Sequence, residues 1–113
     1  MPKKKFKRYS DGAIIELDRE TKTLTFEGVE PGNFFKGKNH NFYEFRDENR
    51  VLYRYCAPID YSGVPLTKLG QDLENRGGEN LKLTISGYFI PAYYTPNCIY
   101  IENIKVINMT GGD

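Results

Sequence analysis

The chain has 113 residues, a formal net charge of +1, 39% hydrophobic and 27% charged residues. That length suits one domain with a modest core, and that balance excludes a disordered chain. The near-neutral charge supplies no whole-molecule field for nucleic acid or an anionic membrane, and no secretory segment or apolar run of about twenty residues occurs.

Residues 1–10 read as a basic N-terminal arm, with Lys3, Lys4, Lys5, Lys7 and Arg8 close together. Such an arm either holds phosphates or is a solubilising terminus. An Asp11-Gly12 turn leads into a short apolar run at 13–17, and a polar turn at 18–22 leads into 23–28. There Leu24 and Phe26 alternate with Thr23, Thr25 and Glu27, the period of a half-buried strand. The two runs together are expected to form a hairpin. Residues 29–38 contain Pro31-Gly32 and Gly37 and read as a loop carrying Phe34, Phe35, Lys36 and Lys38.

Runs at 41–46 and 51–57 flank the polar turn Asp47-Glu48-Asn49-Arg50, the clearest hairpin in the chain. Phe42, Tyr43 and Phe45 lie on one arm, Tyr53 and Tyr55 on the other. Pro58 and Pro65 bracket a second loop. Residues 66–76 form the one good helix, with Leu66, Leu69 and Leu73 on a narrow apolar face and Gly77-Gly78 as its stop. At about eleven residues this helix must pack on something to persist. In 81–90, Leu81, Leu83, Ile85, Gly87 and Phe89 take one face; Lys82, Thr84, Ser86 and Tyr88 take the other. A loop at 91–97 holds Tyr93 and Tyr94. The last strand, 98–108, has Ile99 and Ile101 inward, then Ile104 and Val106, a change of phase that implies a bulge near Asn103.

The order is strand, hairpin, helix, two strands. It is the five-stranded plan of an OB barrel with one short helix between strands three and four, here with an extra N-terminal hairpin strand. The Gly-terminated helix followed by Leu81-Lys82-Leu83-Thr84-Ile85-Ser86-Gly87-Tyr88, with the closing run from Tyr100 to Ile107, resembles the OB-fold single-stranded DNA-binding family. The resemblance is to its small divergent members on phages and mobile elements, and it covers roughly residues 23–108. It departs in the extra strand at 13–17 and in the short tail at 109–113, where bacterial members commonly carry an acidic, partner-recruiting tip. The barrel itself is placed at 11–108.

The resemblance implies a cytoplasmic, non-enzymatic protein of DNA replication that binds single-stranded DNA, or RNA, without strong sequence preference. Monomer, dimer and tetramer all stay open, although such binders gain affinity by presenting several grooves; a homo-oligomer and replication or recombination proteins are the candidate protein partners. Single-strand binders stack bases on aromatic rings and track the backbone with cations. In OB folds the ligand crosses strands two and three and is gripped by the loops after strands one and four. The candidates there are Phe34, Phe35, Lys36 and Lys38 in the first loop, Tyr93 and Tyr94 in the second, and Tyr43, Arg46, Arg50, Tyr53, Arg54 and Tyr55 on and beside the strands. Lys82 and Tyr88 complete the set. Tyr53 and Tyr55 share a face with Val51, whereas Leu52, Arg54 and Cys56 share the other. One of these faces is interior, and Arg54 favours Tyr53 and Tyr55 as that one.

No catalytic, metal or cofactor set is expected. The single histidine, His40, and the two cysteines, Cys56 and Cys98, make no zinc spacing. The cysteines lie in strand-like runs of a chain read as belonging to a reducing compartment. The acidic residues pair at no spacing that suits acid–base work. The alternative to strand binding is a protein-interaction module or inhibitor that uses a Tyr-rich surface.

Overall fold

A computed structural model describes residues 3–8, 11–35, 37–76, 81–92 and 98–111. The chain is mostly β, with one short helix. Strands β1 (Lys4–Lys7) and β2 (Ile14–Leu17) form a two-stranded ribbon. Strands β3 (Glu20–Phe35), β4 (Lys38–Arg46), β5 (Leu52–Pro58), β6 (Lys82–Ala92) and β7 (Cys98–Thr110) pair in the closed cycle β3-β4-β5-β7-β6, with β6 returning to β3. Its β5–β7 pairing is parallel and the others are antiparallel. Helix α1 (Lys68–Arg76) follows β5. Among the described residues, no helix is long and apolar enough to cross a membrane.

The expected hairpin between 13–17 and 23–28 does not form. β2 pairs with β1 instead, Phe6 opposite Ile15 and Lys4 opposite Leu17. β3 is divided between two partners that overlap at Thr25: its first part pairs with β6, from Glu20 opposite Gly87 to Thr25 opposite Lys82, and its second, from Thr25 to Phe35, with β4. Lys4–Lys7 of the basic arm are therefore strand. The Asp11-Gly12 turn joins them to β2, with Gly12 at φ 75° and the Asp11 carboxylate accepting the Ala13 N–H at 3.0 Å.

The expected loop at 29–38 is also strand. β3 continues to Phe35, and the chain reverses at Gly37 (φ 79°) into Lys38. Pro31 and Gly32 mark a register shift between Glu30 and Asn33, where the extra residue of a bulge accommodates a proline and a left-handed glycine (φ 70°). At the opposite end of β4, the Asp47 carboxylate accepts the N–H groups of Asn49 (2.9 Å) and Val51 (3.0 Å), closing the turn expected at 47–50.

Leu24, Tyr43, Phe45, Tyr53, Tyr55, Leu81, Leu83, Ile85 and Phe89 form the core. Leu81, Leu83, Ile85 and Phe89 face the core as expected, although Ser86 and Ile90 of the other parity are also buried, and Asn103 (φ 51°) marks the phase change in β7. The helix adds Leu73, fully buried, with Leu69 packed beside it. Leu66 does not join them. Thr67 caps the helix by accepting the Gly70 N–H at 3.1 Å, so Leu66 lies before it and is 61% exposed. The Gly77-Gly78 stop lies outside the described residues.

Gly70 sits where the helix meets the chain around it. A Cβ there would lie 2.9 Å from Pro65 Cβ and 3.3 Å from Ala57 Cβ. In an open helix Gly→Ala gains about 1 kcal/mol of propensity. Here overpacking wins, and Gly70→Ala is expected to destabilise the chain by about 1–2 kcal/mol net in a urea titration.

Candidate nucleic-acid interface

The fold divides the expected binding residues into three groups. Tyr43, Tyr53 and Tyr55 point inward and belong to the core, because they share strand parity with Phe45 and Ala57. Each hydroxyl has a partner within the protein: Tyr43 donates to Glu74, Tyr53 donates to Asp47 at 3.0 Å, and Tyr55 bonds Thr67 at 2.7 Å. Burial raises all three phenols above their ordinary value, and the Asp47 bond helps to push Tyr53 up to about 12. These rings fill the interior and offer no π face to a base.

Arg54 is on the outer face of β5, yet it is 9% exposed. Its Nε donates to Glu44 at 2.8 Å, a terminal nitrogen lies 3.6 Å from Glu30, and the guanidinium stacks over Phe42 at 5.3 Å. The register explains the pairing, since Glu44 lies directly opposite Arg54. Arg46 and Arg50 share the carboxylate of Glu27, at 3.2 and 3.6 Å. Arg54 serves as an internal tie, whereas Arg46 and Arg50 stay partly in water beside Glu27, with side chains 33% and 73% exposed. Tyr88 is half-buried beneath the ribbon: Phe6 lies 4.9 Å away, and Lys4 and Arg19 stand over the ring at 5.8 and 5.0 Å. Arg19 also donates to Ser86 and to the Asn103 carbonyl, each at 3.0 Å.

The third group is open to solvent. Phe34, 75% exposed, stands near the tip of the β3–β4 hairpin, with exposed Lys38 just across the turn. Lys82 is exposed at the start of β6. Lys36, Tyr93, Tyr94 and the side chain of Phe35 lie outside the described residues.

Two features escaped the sequence reading. Lys22 lies not in a polar turn but on β3, which begins at Glu20 and carries it in phase with Leu24 at the end of the closed sheet. Its ammonium lies 5.3 Å from the Phe89 ring and 5.9 Å from that of Tyr53. Extending the alternation of Leu24 and Phe26 back two residues would have found it. Tyr61 is fully exposed on a tight turn in which the Asp60 carboxylate accepts the Ser62 and Val64 N–H groups at 2.8 and 2.9 Å. The Asp60-to-Gly63 spacing is a turn signal that places Tyr61 at a tip.

A solvent-open cleft of about 560 Å³ lies where β3, β6 and the β4–β5 turn meet, with Lys22, Thr23, Thr25, Arg46 and Lys82 on its walls. Asp47, at its turn side, is occupied by the turn. Burial works to raise this carboxyl, but the Val51 N–H, the Tyr53 hydroxyl and the Asn49 N–H outweigh it and hold the pKa below the ordinary carboxylate value. A depressed folded-state pKa contributes stability that is present above the unfolded value of about 4 and is lost as pH falls through the folded value. The thermal midpoint of the wild-type chain is thus expected to fall between pH 5 and pH 2 by more than that of Asp47→Asn, which has no carboxyl to protonate. Parallel acid-side curves would contradict this.

Among the described residues, no group of three or more His, Cys, Asp or Glu is placed to hold a metal ion. Comparison with known proteins finds no matching family model, no matching curated protein and no matching solved structure.

Proposed function

We propose that the chain is a non-enzymatic, sequence-tolerant single-strand nucleic-acid-binding protein built on an OB-type barrel. Numbered along the closed sheet, β3 to β7 are strands one to five, and their cycle runs 1-2-3-5-4, a Greek-key order, with α1 between strands three and four. The observation that carries the reading is the β3–β4 hairpin. It follows strand one, where OB folds grip a strand, and presents exposed Phe34 near exposed Lys38. One stacked ring contributes about 1–3 kcal/mol per base, and nearby cations track the phosphates.

The test is anisotropy of a labelled oligo-dT at two salt concentrations. Binding that weakens as salt rises is expected, because phosphate contacts release counterions. Phe34→Ala is expected to weaken it by about 5- to 100-fold with an unchanged thermal midpoint, as the ring is mostly in water. Absence of binding at low salt would sink the proposal.

A second reading, a protein-contact module, draws on the β5–α1 segment. Tyr61 (100%), Val64 (50%) and Leu66 (61%) are exposed apolar side chains close together in sequence. Concentration-dependent self-association in sedimentation, lost in Tyr61→Ser with Leu66→Ser, would favour this reading for a second copy of the chain as partner.

A further inference from the structure

We propose that the cleft between β3, the start of β6 and the β4–β5 turn is a binding site for a phosphate monoester, either a free nucleotide or the phosphorylated end of a strand. It is separate from the β3–β4 hairpin. The hairpin tip and the cleft lie at opposite ends of β4, whose nine residues span about 27 Å at the usual rise per residue.

The register builds the site. Thr25 is opposite Lys82 on β6 and opposite Arg46 on β4, so Lys82, Thr25 and Arg46 form one row across three strands. Neighbouring strands lie about 4.8 Å apart, which puts the roots of the two cations about 10 Å from each other with the Thr25 hydroxyl between them. Long side chains rooted at that separation can converge on one tetrahedral anion lying over the threonine. Thr23, two residues back along β3, adds a second hydroxyl to the wall, and Lys22 adds a third cation.

The balance of charge leaves these groups available. Among the described residues, neither Lys22 nor Lys82 has an ion-pair partner. Lys22 is held over the Phe89 and Tyr53 rings, an orientation that keeps a cation in place without neutralising it. Arg46 is braced by Glu27 and by the Arg50 carbonyl, at 3.2 and 2.9 Å. Two carboxylates also line the cleft. Asp47 accepts the turn's N–H groups and the Tyr53 hydroxyl and, with the charge of Lys22 beside it, stays ionised; Glu48 is the second acid, at the rim. Lys22, Arg46 and Lys82 against Asp47 and Glu48 leave the lining a small positive excess, and the volume of about 560 Å³ lies within the range of small-molecule sites.

A monoester suits this arrangement better than the interior of a strand. It has a doubly charged, three-oxygen face for cations on two sides and for hydroxyl donors beneath, whereas a diester has one negative charge and chain leaving in both directions. The Tyr53 ring is 3% exposed, so anchoring comes from the phosphate and not from stacking.

The experiment is an NMR and calorimetric titration of the whole chain with AMP, adenosine and inorganic phosphate, followed by 5′-phosphorylated and 5′-hydroxyl oligo-dT. AMP is expected to bind and adenosine not to, with amide shifts at Thr23, Thr25 and Lys82. Lys22→Gln and Lys82→Gln are each expected to weaken AMP by about tenfold; the midpoint of Lys82→Gln is expected to be unchanged, because Lys82 has no ion pair to lose, and that of Lys22→Gln to fall by no more than a few degrees with the loss of its ring contacts. Competition by the phosphorylated oligonucleotide identifies a strand end as the source; AMP binding without it identifies a free nucleotide. Equal affinity for AMP and adenosine, absence of shifts in the cleft, or full affinity in both lysine variants would overturn the proposal. Loss of 5′-hydroxyl oligo-dT binding in Phe34→Ala reads the hairpin alone, so the two sites succeed or fail separately.

Discussion

Replacing Tyr43 with alanine is expected to destabilise the chain by about 3–5 kcal/mol, the usual result of emptying an aromatic site in a core. Tyr43 is wholly buried, its ring lies 5.9 Å from that of Tyr55 and 6.5 Å from that of Phe26, and its hydroxyl donates to Glu74 on the helix. Truncation removes those contacts and leaves a cavity where β4 faces α1. It also takes from the Glu74 carboxylate one of two donors, leaving the Asn41 amide at 3.2 Å. For a domain of this size the loss equals a fall in thermal midpoint of more than about 10 °C, a large part of a total stability of about 5–15 kcal/mol. Tyr43→Phe separates the two contributions and is expected to lose only about 1 kcal/mol, the hydroxyl's share. Urea melts of both variants provide the check. A Tyr43→Ala chain with unchanged stability and impaired oligo-dT binding would return this ring to a ligand face.

Arg54→Ala is expected to cost somewhat less, at about 2–3 kcal/mol. The guanidinium ties Glu44 on β4 and Glu30 on β3 to β5 and covers the Phe42 ring, so its removal leaves half-buried Glu44 without its counter-charge. The loss stays below the largest recorded for buried pairs because Glu44 and Glu30 keep contact with water, their side chains being 27% and 53% exposed. Arg54→Met with Glu44→Gln removes both charges and is expected to recover part of the stability lost in Arg54→Met alone. Oligo-dT affinity of folded Arg54→Met, measured well below its midpoint, is expected to match the wild type. A lower affinity would assign Arg54 to the ligand after all.

Much of the secondary structure was legible in local pattern. The turn at 47–50, the alternation through 81–90 and the phase change near Asn103 all correspond to features of the fold. The extent of β3 was not legible. Pro31, Gly32 and Gly37 are strong loop signals, but the first two sit at a bulge inside a paired strand and the third in its turn. The candidate site was only partly readable for a similar reason. Aromatic and basic residue types mark what can bind a strand, but most of these tyrosines and arginines are used inside the protein, and only exposure distinguishes the two uses.

By itself the sequence determined a mostly β chain with one short helix after the 41–57 hairpin, because strand alternation and helical spacing are carried by neighbouring residues. The tertiary structure alone decided the partners. β2 could lie beside β1 or β3, and the register shows it on β1 while β6 and β4 divide β3 between them. It alone decided that Tyr53 and Tyr55 are interior and that Arg54 is tied to Glu44. It alone assembled Lys82, Thr25 and Arg46 into one row from three strands distant in sequence. Register across strands depends on which chain segments meet, and that is a property of the closed sheet and not of any one run of residues.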